Sequence, residues 1–401
     1  MSSAIVVGAG PAGALLAYML ARRGVPVTLL ERQTDFSREF RGEVLMPSGI
    51  AAMHEAGLRP QFDALPHLPI GTAQIFRGEQ LVVTFPLDGL PVRPRIVPQP
   101  AMLEMIVAEP TKTKLPGFKL ERGVTVRDLI YEKDRVVGVH ADAHDGPREF
   151  RGDFVIACDG RSSAIRKRAA FPQDRIMQGF DVVWAHVPGQ FPDTRTARAY
   201  IGNGHLLITY PSPEGHTQIG WVIDKGTFGD IKKMGDRWID ELAPHVSPDL
   251  RQFLAANKTG LARPFLLDVI CDRLREWTAP GLLLIGDAAH PMSPVGGQGI
   301  NVALRDAVVT ANHLGRALKM REDQATLDFA ARNIQAERWP EITTIQDMQQ
   351  IGPRFLLSNA LLSRIIVSAP MIAFARMFLA SFIKKRFDPF LNGATRVVME
   401  Q

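Results

Sequence analysis

Ala4-Ile5-Val6-Val7-Gly8-Ala9-Gly10-Pro11-Ala12-Gly13 opens the chain with a strand, a glycine turn and the start of a helix. The apolar run suits a buried parallel strand, and the glycines then lead into a helix over 14–23. Gly8 permits the tight turn, Gly10 lets backbone approach a pyrophosphate, and Gly13 lets the helix pack close on the strand. The helix N-terminus adds unpaired N–H groups and a dipole that favours an anion. A second apolar strand over 25–30 ends on Glu31, about 20 residues past the glycines, where a carboxylate can accept from ribose hydroxyls. A glycine triplet alone also occurs in turns that merely join strand to helix. Strand, turn, helix, Gly24, strand and acid in this order mark a dinucleotide site.

A chain of 401 residues can bury a large core and has length for two or three domains. With 46% hydrophobic and 22% charged residues it falls among soluble globular proteins, away from disordered or collagen-like composition. The net charge of +5 comes from dispersed basic residues without a nucleic-acid motif. Nucleic acid is therefore not an expected partner, and attraction of cofactor phosphates is the simpler use of that charge. Cys158 and Cys271 each sit in an apolar predicted strand, far apart in sequence. They suggest neither a redox pair nor a zinc site, so no metal is expected, and they fit a reducing cytoplasm. The first strand runs directly into its glycine turn without a basic leader or cleavage site, so a cytoplasmic protein is expected.

Further along, Arg41-Gly42-Glu43 precedes a predicted helix over 47–56. Arg41 either reaches a bound cofactor from its loop or pairs with Glu43 or solvent. Runs at 72–77 and 81–85 read as strands of another domain, and 99–106 restores a helical period with Pro100 in its first turn. Hairpin-like strands follow at 118–120, 124–131 and 136–141. The strand over 154–157 meets Cys158-Asp159-Gly160, where Asp159 is placed for a ligand or as the cap of a helix near Ser163. Alternation returns at 180–187, 197–201, 206–210 and 217–223, covered by helical material over 231–256. A last buried strand ends in Gly286-Asp287-Ala288-Ala289-His290-Pro291. Gly296, Gly297 and Gly299 then offer backbone donors ahead of a helix over 300–318, whose polar face is expected to include Arg305 and Asp306.

Together, Gly8-x-Gly10-x-x-Gly13 with Glu31, Asp159-Gly160 after a strand, and Gly286 to Pro291 resemble the single-component FAD-dependent aromatic hydroxylases of the p-hydroxybenzoate hydroxylase type. Order and spacing match across roughly the first 320 residues. The resemblance implies an α/β fold, α+β overall. A Rossmann-type FAD-binding domain would take 1–70, 98–177 and 273–338, a β-sheet substrate domain 71–97 and 178–272, and a C-terminal helical segment 339–401. It implies Gly10, Ala12 and Gly13 at the pyrophosphate, Glu31 and Arg32 at the adenosine end, and Val126 near the adenine. Arg41 and Gln99 would flank the flavin, Asp159 and Gly160 would serve both FAD and nicotinamide, and Asp287 would meet the ribityl and phosphate region. Gly297, Gly299, Ile300 and Asn301 would line the pyrimidine edge, with Pro294 near the reactive face. Gln99 stands where many relatives carry arginine, which weakens that contact rather than the family.

The activity implied is oxygenation. NADPH or NADH reduces FAD, O2 gives a flavin hydroperoxide, and one oxygen atom passes to an aromatic or polycyclic hydrophobic small molecule as hydroxylation or epoxidation. No protein nucleophile is required; Arg41 and Pro294 are the residues placed nearest the chemistry. The alternatives are an FAD reductase or dehydrogenase of the same fold, and a flavin-binding module without turnover. A disulfide reductase would need a second glycine fingerprint and a cysteine pair. A flavin halogenase would carry Trp-x-Trp-x-Ile-Pro, which Gly220-Trp221-Val222-Ile223-Asp224 does not match, so Trp221 reads as a sheet residue. His205, Tyr200 and Tyr210 are candidates to deprotonate a phenolic substrate, though each residue type is more often a packing or surface residue and none is assigned a catalytic role. His290 is expected to support its loop. The apolar run over 355–383 is interrupted by Arg364, Pro370 and Arg376, short of the about 20 residues a membrane span needs. It is expected to pack over the domains; a substrate tunnel or a peripheral membrane contact aided by Lys384, Lys385 and Arg386 is the alternative.

Overall fold

The first strand, Ala4–Val7, is buried along its whole length and lies inside a six-stranded sheet. The computed structural model describes residues 2–37, 42–175, 179–202, 205–258, 263–356 and 388–400, with backbone alone at 173–175 and 351–356. Ala4–Val7 pairs in parallel with Val27–Glu31 on one side and Phe154–Ala157 on the other. Phe118–Arg122 and Leu282–Leu284 extend the parallel set in either direction, and Thr278–Ala279 closes one edge antiparallel. Strands covered on both faces need continuous apolar runs, and AIVV, FVIA and LLL supply them. The strand near 118 departs from the hairpin expected for it. Phe118 and Leu120 pack on the main core, which draws that strand to the parallel sheet. Thr125–Glu132, Arg135–Ala143 and Gly146–Arg151 form a separate antiparallel sheet.

The helix Pro11–Arg22 buries every residue from Ala12 to Ala21. It touches the sheet and also the long helix Gln298–Met320, where a side chain at Gly315 would come within 3.0 Å of Leu20. A helix apolar all round belongs in a core, and cutting fully buried Leu16 to alanine would cost about 2–5 kcal/mol.

A second sheet has seven strands: Thr72–Arg77, Gln80–Pro86, Phe180–Pro188, Thr196–Gly202, His205–Pro211, His216–Asp224 and Phe265–Leu267. Its pairs are antiparallel except Thr196–Gly202 with Thr72–Arg77. Alternating side chains give it two apolar faces. Val183, Val187, Leu207, Ile219 and Trp221 lie on the outer face, covered by the 3-10 stretch Gly235–His245 and the helix Pro248–Ala256. Phe180, Val182, Trp184, Leu206, Tyr210 and Val222 lie on the inner face and meet Val44, Ile96 and Val295.

The helix Gln324–Leu356 runs unbroken past residue 338, where the sequence places a boundary. The apolar run beyond it falls mostly outside the described residues. After it, Phe390, Val397 and Met399 pack on the main core. Among the described residues no helix is long and apolar enough to cross a membrane, and no His/Cys/Asp/Glu group would hold a metal ion. Both cysteines are free and buried.

Candidate functional site

Parallel pairing carries the sequence motifs to one edge. The chain leaves Ala4–Val7 at Gly8, Phe154–Ala157 at Cys158, and Leu282–Leu284 at Ile285, all at the carboxyl ends of neighbouring strands. Backbone bonds continue past the strands: Gly8 N–H donates to Leu30 (2.7 Å), Cys158 N–H to Val7 (2.7 Å) and Ile285 N–H to Ala157 (3.0 Å). Two glycines are required there. Gly8 has φ +98°, and a Cβ on it would lie 2.4 Å from the Cys158 carbonyl oxygen; a Cβ on Gly13 would lie 1.9 Å from that of Gly8. Ala12 faces the third motif, since a Cβ on Gly286 would approach its methyl to 3.3 Å.

The space around this edge suits a dinucleotide. A side chain on Gly10 would meet nothing within 4 Å, and no side chain caps the helix that begins at Pro11. Its first N–H groups are left for an anion. Glu31 is buried, with Oε2 accepting from Ala9 N–H (2.7 Å) and Oε1 from Gln33 N–H (2.9 Å). Arg32 beside it is exposed. Val124 N–H donates to the Glu31 carbonyl, which brings the strand carrying half-buried Val126 alongside.

Asp159 and Asp287 lie on adjacent strand ends but are held differently. Ser163 caps the helix Ala164–Arg168 by accepting from Arg166 N–H, while Asp159 Oδ2 accepts from Ile165 N–H (3.2 Å). Burial raises the Asp159 carboxyl, the Ser163 hydroxyl and local N–H groups oppose the rise, and Oδ1 is buried without a partner. Asp287 accepts from Arg161 Nε (3.0 Å), and Arg161 also donates to the Met292 carbonyl while its Nη1 is buried and unpartnered. Arg166 donates to the carbonyls of Ala288 and Arg161. Neither arginine stands in a motif of its own; their spacing after Asp159-Gly160 is the signal the sequence carries for them.

Arg305 and Asp306 do not lie on a polar helix face. Both are buried, Asp306 completely. Asp306 accepts from Gly286 N–H (3.0 Å) and Arg338 Nε (2.7 Å) and pairs with His290 Nε2 (2.7 Å). Burial by itself raises its carboxyl, but His290 and Arg338 outweigh that and hold it at about 2. Arg338 also pairs with Glu341, which binds Arg305 and accepts from Ala394 N–H. His290 thus anchors the Asp287 loop to the helix behind it, the supporting role expected for it.

The glycine turn follows as a 3-10 turn, Val295–Gly297, after Pro294. Gly297, at φ +63°, is the N-cap of Gln298–Met320, so Gly299 and Ile300 lie in the first helical turn. A side chain on Gly299 would project into open space. Asn301 is wholly buried and bound to protein: Oδ1 accepts from Met46 N–H (2.8 Å), and Nδ2 donates to the carbonyls of Gly297 and Val44. It fastens the turn to the 44–46 loop. Gln99, also buried, starts the helix Gln99–Lys112. Arg41 lies outside the described residues.

The three candidate deprotonating residues part company. Tyr200 is on the outer face, its hydroxyl 2.8 Å from Ser247 Oγ and its ring stacked on Phe76. His205 stacks on His245 and on Trp221, itself a buried sheet residue. Tyr210 alone is on the inner face, edge-on to Trp184. Burial and the neighbouring Glu43 carboxyl raise its phenol far above the ordinary range, against a hydrogen bond from the Glu43 backbone. Near the same end, His186 and His216 stack at 4.3 Å; burial and His186 lower His216 to about 4.

Residues 1–340 match the family model described as FAD binding domain. The chain is 32% identical over 368 residues to 6-methylpretetramide 4-monooxygenase of Streptomyces rimosus, covering 89% of this chain and 85% of that one. It is 26% identical over 351 residues to digeranylgeranylglycerophospholipid reductase 2 of Methanopyrus kandleri, covering 84% and 82%. Among solved structures, p-nitrophenol 4-monooxygenase PnpA from Pseudomonas putida DLL-E4 aligns with a TM-score of 0.80 over 99% of both chains, at 19% identity, a likeness of fold.

Proposed function

The chain belongs to the FAD-binding-domain family and is an FAD-dependent monooxygenase that takes electrons from NADPH or NADH; from that premise we propose that it oxygenates an aromatic or polycyclic, largely hydrophobic small molecule, by hydroxylation or epoxidation. The observation that carries this reading is the apolar inner face of the seven-stranded sheet. The apolar cluster that includes its Phe180, Val182, Trp184 and Leu206 has Val295, the neighbour of Pro294 on the glycine turn, packed against it. The Streptomyces rimosus relative, named for 6-methylpretetramide, points to the same substrate class.

When bound, FAD supplies the redox chemistry, passing electrons from the nicotinamide to O2 so that one oxygen atom reaches substrate and the other leaves as water. Gly10, Ala12 and Gly13 hold the pyrophosphate at the helix N-terminus. Glu31 takes the ribose, with Arg32 and Val126 around the adenosine. Asp287, oriented by Arg161, meets the ribityl and phosphate region. The N–H groups of Gly299 and Ile300 would face the pyrimidine edge, where the helix dipole favours negative charge, and Gly297, whose own N–H donates to the Pro294 carbonyl, would line it with its backbone. Gln99 would flank the ring, Pro294 would lie on its reactive side, and Asp159 would offer its unpartnered oxygen to FAD or the nicotinamide; Arg41, expected beside the ring, lies outside the described residues. Asn301 positions the turn through its protein bonds. The apolar wall keeps water from the reacting atoms.

The two-domain division at 71–97 and 178–272 remains part of this reading, supported by the separate apolar clusters of the second sheet. The C-terminal apolar run lies mostly outside the described residues; after it, Gln298 Nε2 donates to the Phe390 carbonyl and Phe390 covers Gly296. Buried, unpaired cysteines support a cytoplasmic location.

The test is turnover of an aromatic panel by FAD-loaded enzyme under labelled oxygen. Stimulated NAD(P)H oxidation with one labelled oxygen atom per product supports the reading. Product without label would favour the reductase alternative, which identity to the Methanopyrus kandleri reductase keeps in view. No stimulation by any compound would favour a binding module.

A further inference from the structure

Glu43 is a buried acid that the cofactor reading leaves without a task. It is 3% exposed and precedes Val44–Leu45, a short strand paired with Arg95–Ile96. Its carbonyl accepts from Val97 N–H at 2.8 Å, which fixes the backbone. Its side chain reaches the hairpin of the second sheet, where the Gln218 amide and Ser212 hydroxyl hydrogen-bond the carboxyl and Tyr210 stands beside it. Oε2 is buried and has no partner. The next residue, Val44, touches the other layer: a Cβ on Gly297 would lie 4.0 Å from Val44 Cβ, and Asn301 donates to the Val44 carbonyl. Glu43 therefore stands where the glycine turn and the apolar wall converge. A buried acceptor lacking a donor is costly, and a ligand hydroxyl at Oε2 would relieve that cost.

We propose that Glu43 is a catalytic acid–base residue whose carboxylate takes the proton from an acidic hydroxyl, phenolic or enolic, on the aromatic substrate. This rests on the substrate reading above and narrows it to hydroxylated rings. In the step, the substrate O–H bond breaks and its electron pair stays on oxygen. A new O–H bond forms at Glu43 Oε2, and no centre is oxidised or reduced. The oxyanion enriches the ring carbon that receives the oxygen atom. Tyr210, kept protonated by its surroundings, cannot take this proton.

The electrostatics agree with the geometry. Burial raises Glu43 to about 7; Gln218 and Ser212 oppose the rise and Glu214 adds to it. A base near the working pH is suited to general catalysis. Among the described residues the titratable groups facing the carboxyl are Glu214 and Tyr210, and Gln218 and Ser212 are neutral.

The test uses FAD-loaded wild type, Glu43→Gln and Glu43→Asp, titrated with 1-naphthol and with 1-methoxynaphthalene while flavin absorbance and product are followed across pH. In the wild type, above the Glu43 pKa, 1-naphthol is expected to bind about tenfold more tightly than its ether, the scale of one charge-assisted hydrogen bond. The preference should shrink as pH falls through that value. Glu43→Gln should retain FAD but lose the pH dependence, and Glu43→Asp should regain part of it. A wild type that binds both probes without preference overturns the proposal and leaves the substrate reading standing, as does a Glu43→Gln that keeps the same pH profile. If neither probe disturbs the flavin nor is oxygenated, the substrate reading fails and the proposal falls with it. A Glu43→Gln that loses FAD while Glu43→Asp keeps both FAD and the wild-type pH profile also overturns it; in that case the residue is structural.

Discussion

The carboxyl edge of the six-stranded sheet and the inner face of the seven-stranded sheet meet around Val44 and Val295, but they are built in opposite ways. Along the edge, backbone sets the geometry, and the polar side chains behind it are committed to protein: Asn301 to three backbone groups, Asp306 to Gly286, His290 and Arg338. On the inner face side chains set the geometry; buried polar atoms without partners occur in both regions, on Asp159 and Arg161 along the edge and on Glu43, Trp184 and His216 at the inner face. A cofactor shared by many enzymes can be held by a rigid frame that admits little change. A particular substrate calls for groups held ready at a surface that strand alternation presents.

The largest effect that would break this contrast comes from the frame itself. Gly8→Val adds a branched side chain at φ +98°, against the Cys158 carbonyl. It is expected to abolish recovery of soluble, FAD-loaded protein, read as the ratio of flavin to protein absorbance; a normal ratio would show that the turn is not rigid. Next is the buried charge cluster. Arg338→Met leaves Asp306 and Glu341 without their shared cation and should cost about 3–5 kcal/mol in urea unfolding.

On the inner face the expected sign is reversed. Glu43 is raised from 4.5 to about 7 in the folded chain, so the folded state holds its proton more tightly than the unfolded state. Its contribution is fully present below the ordinary glutamate range and is lost as pH rises through the folded value. Relative to wild type, Glu43→Gln should therefore gain stability on going from acid to alkaline pH, by up to about 3 kcal/mol, measured by urea unfolding at both ends. The smallest effect is on the outer face. Tyr200→Phe removes the bond to Ser247 and should cost about 1 kcal/mol with kcat/KM unchanged; a large kinetic loss would place the outer face in the reaction.

Contiguous motifs were legible because each carries its own geometry. Gly8, Glu31, Asp159 and Asp287 stand at or just past strand ends, and Gly13 in the first turn of the helix that follows, as their neighbours in sequence require. What was not legible depends on partners far along the chain. Arg305 and Asp306 look like surface charges until Arg338 and Glu341, on the next helix, are brought against them. The Asn301 side chain finds its partners on the distant 44–46 loop. Tyr200 and Tyr210 occupy different strands, and parity within a strand cannot say which face is inner. The register Tyr200 opposite Leu207, with Tyr210 opposite Gln218, decides it. In the sequence Glu43 looks only like a partner for Arg41, because its contacts on the second sheet lie far along the chain.

That three separated motifs hold one FAD at a single sheet edge is tested most directly by the FAD dissociation constant of Asp287→Ala, from flavin fluorescence quenching on the apoprotein. The expected result is binding at least about tenfold weaker than wild type, roughly 1.4 kcal/mol, with thermal unfolding little changed. An unaltered dissociation constant in a folded variant would contradict it.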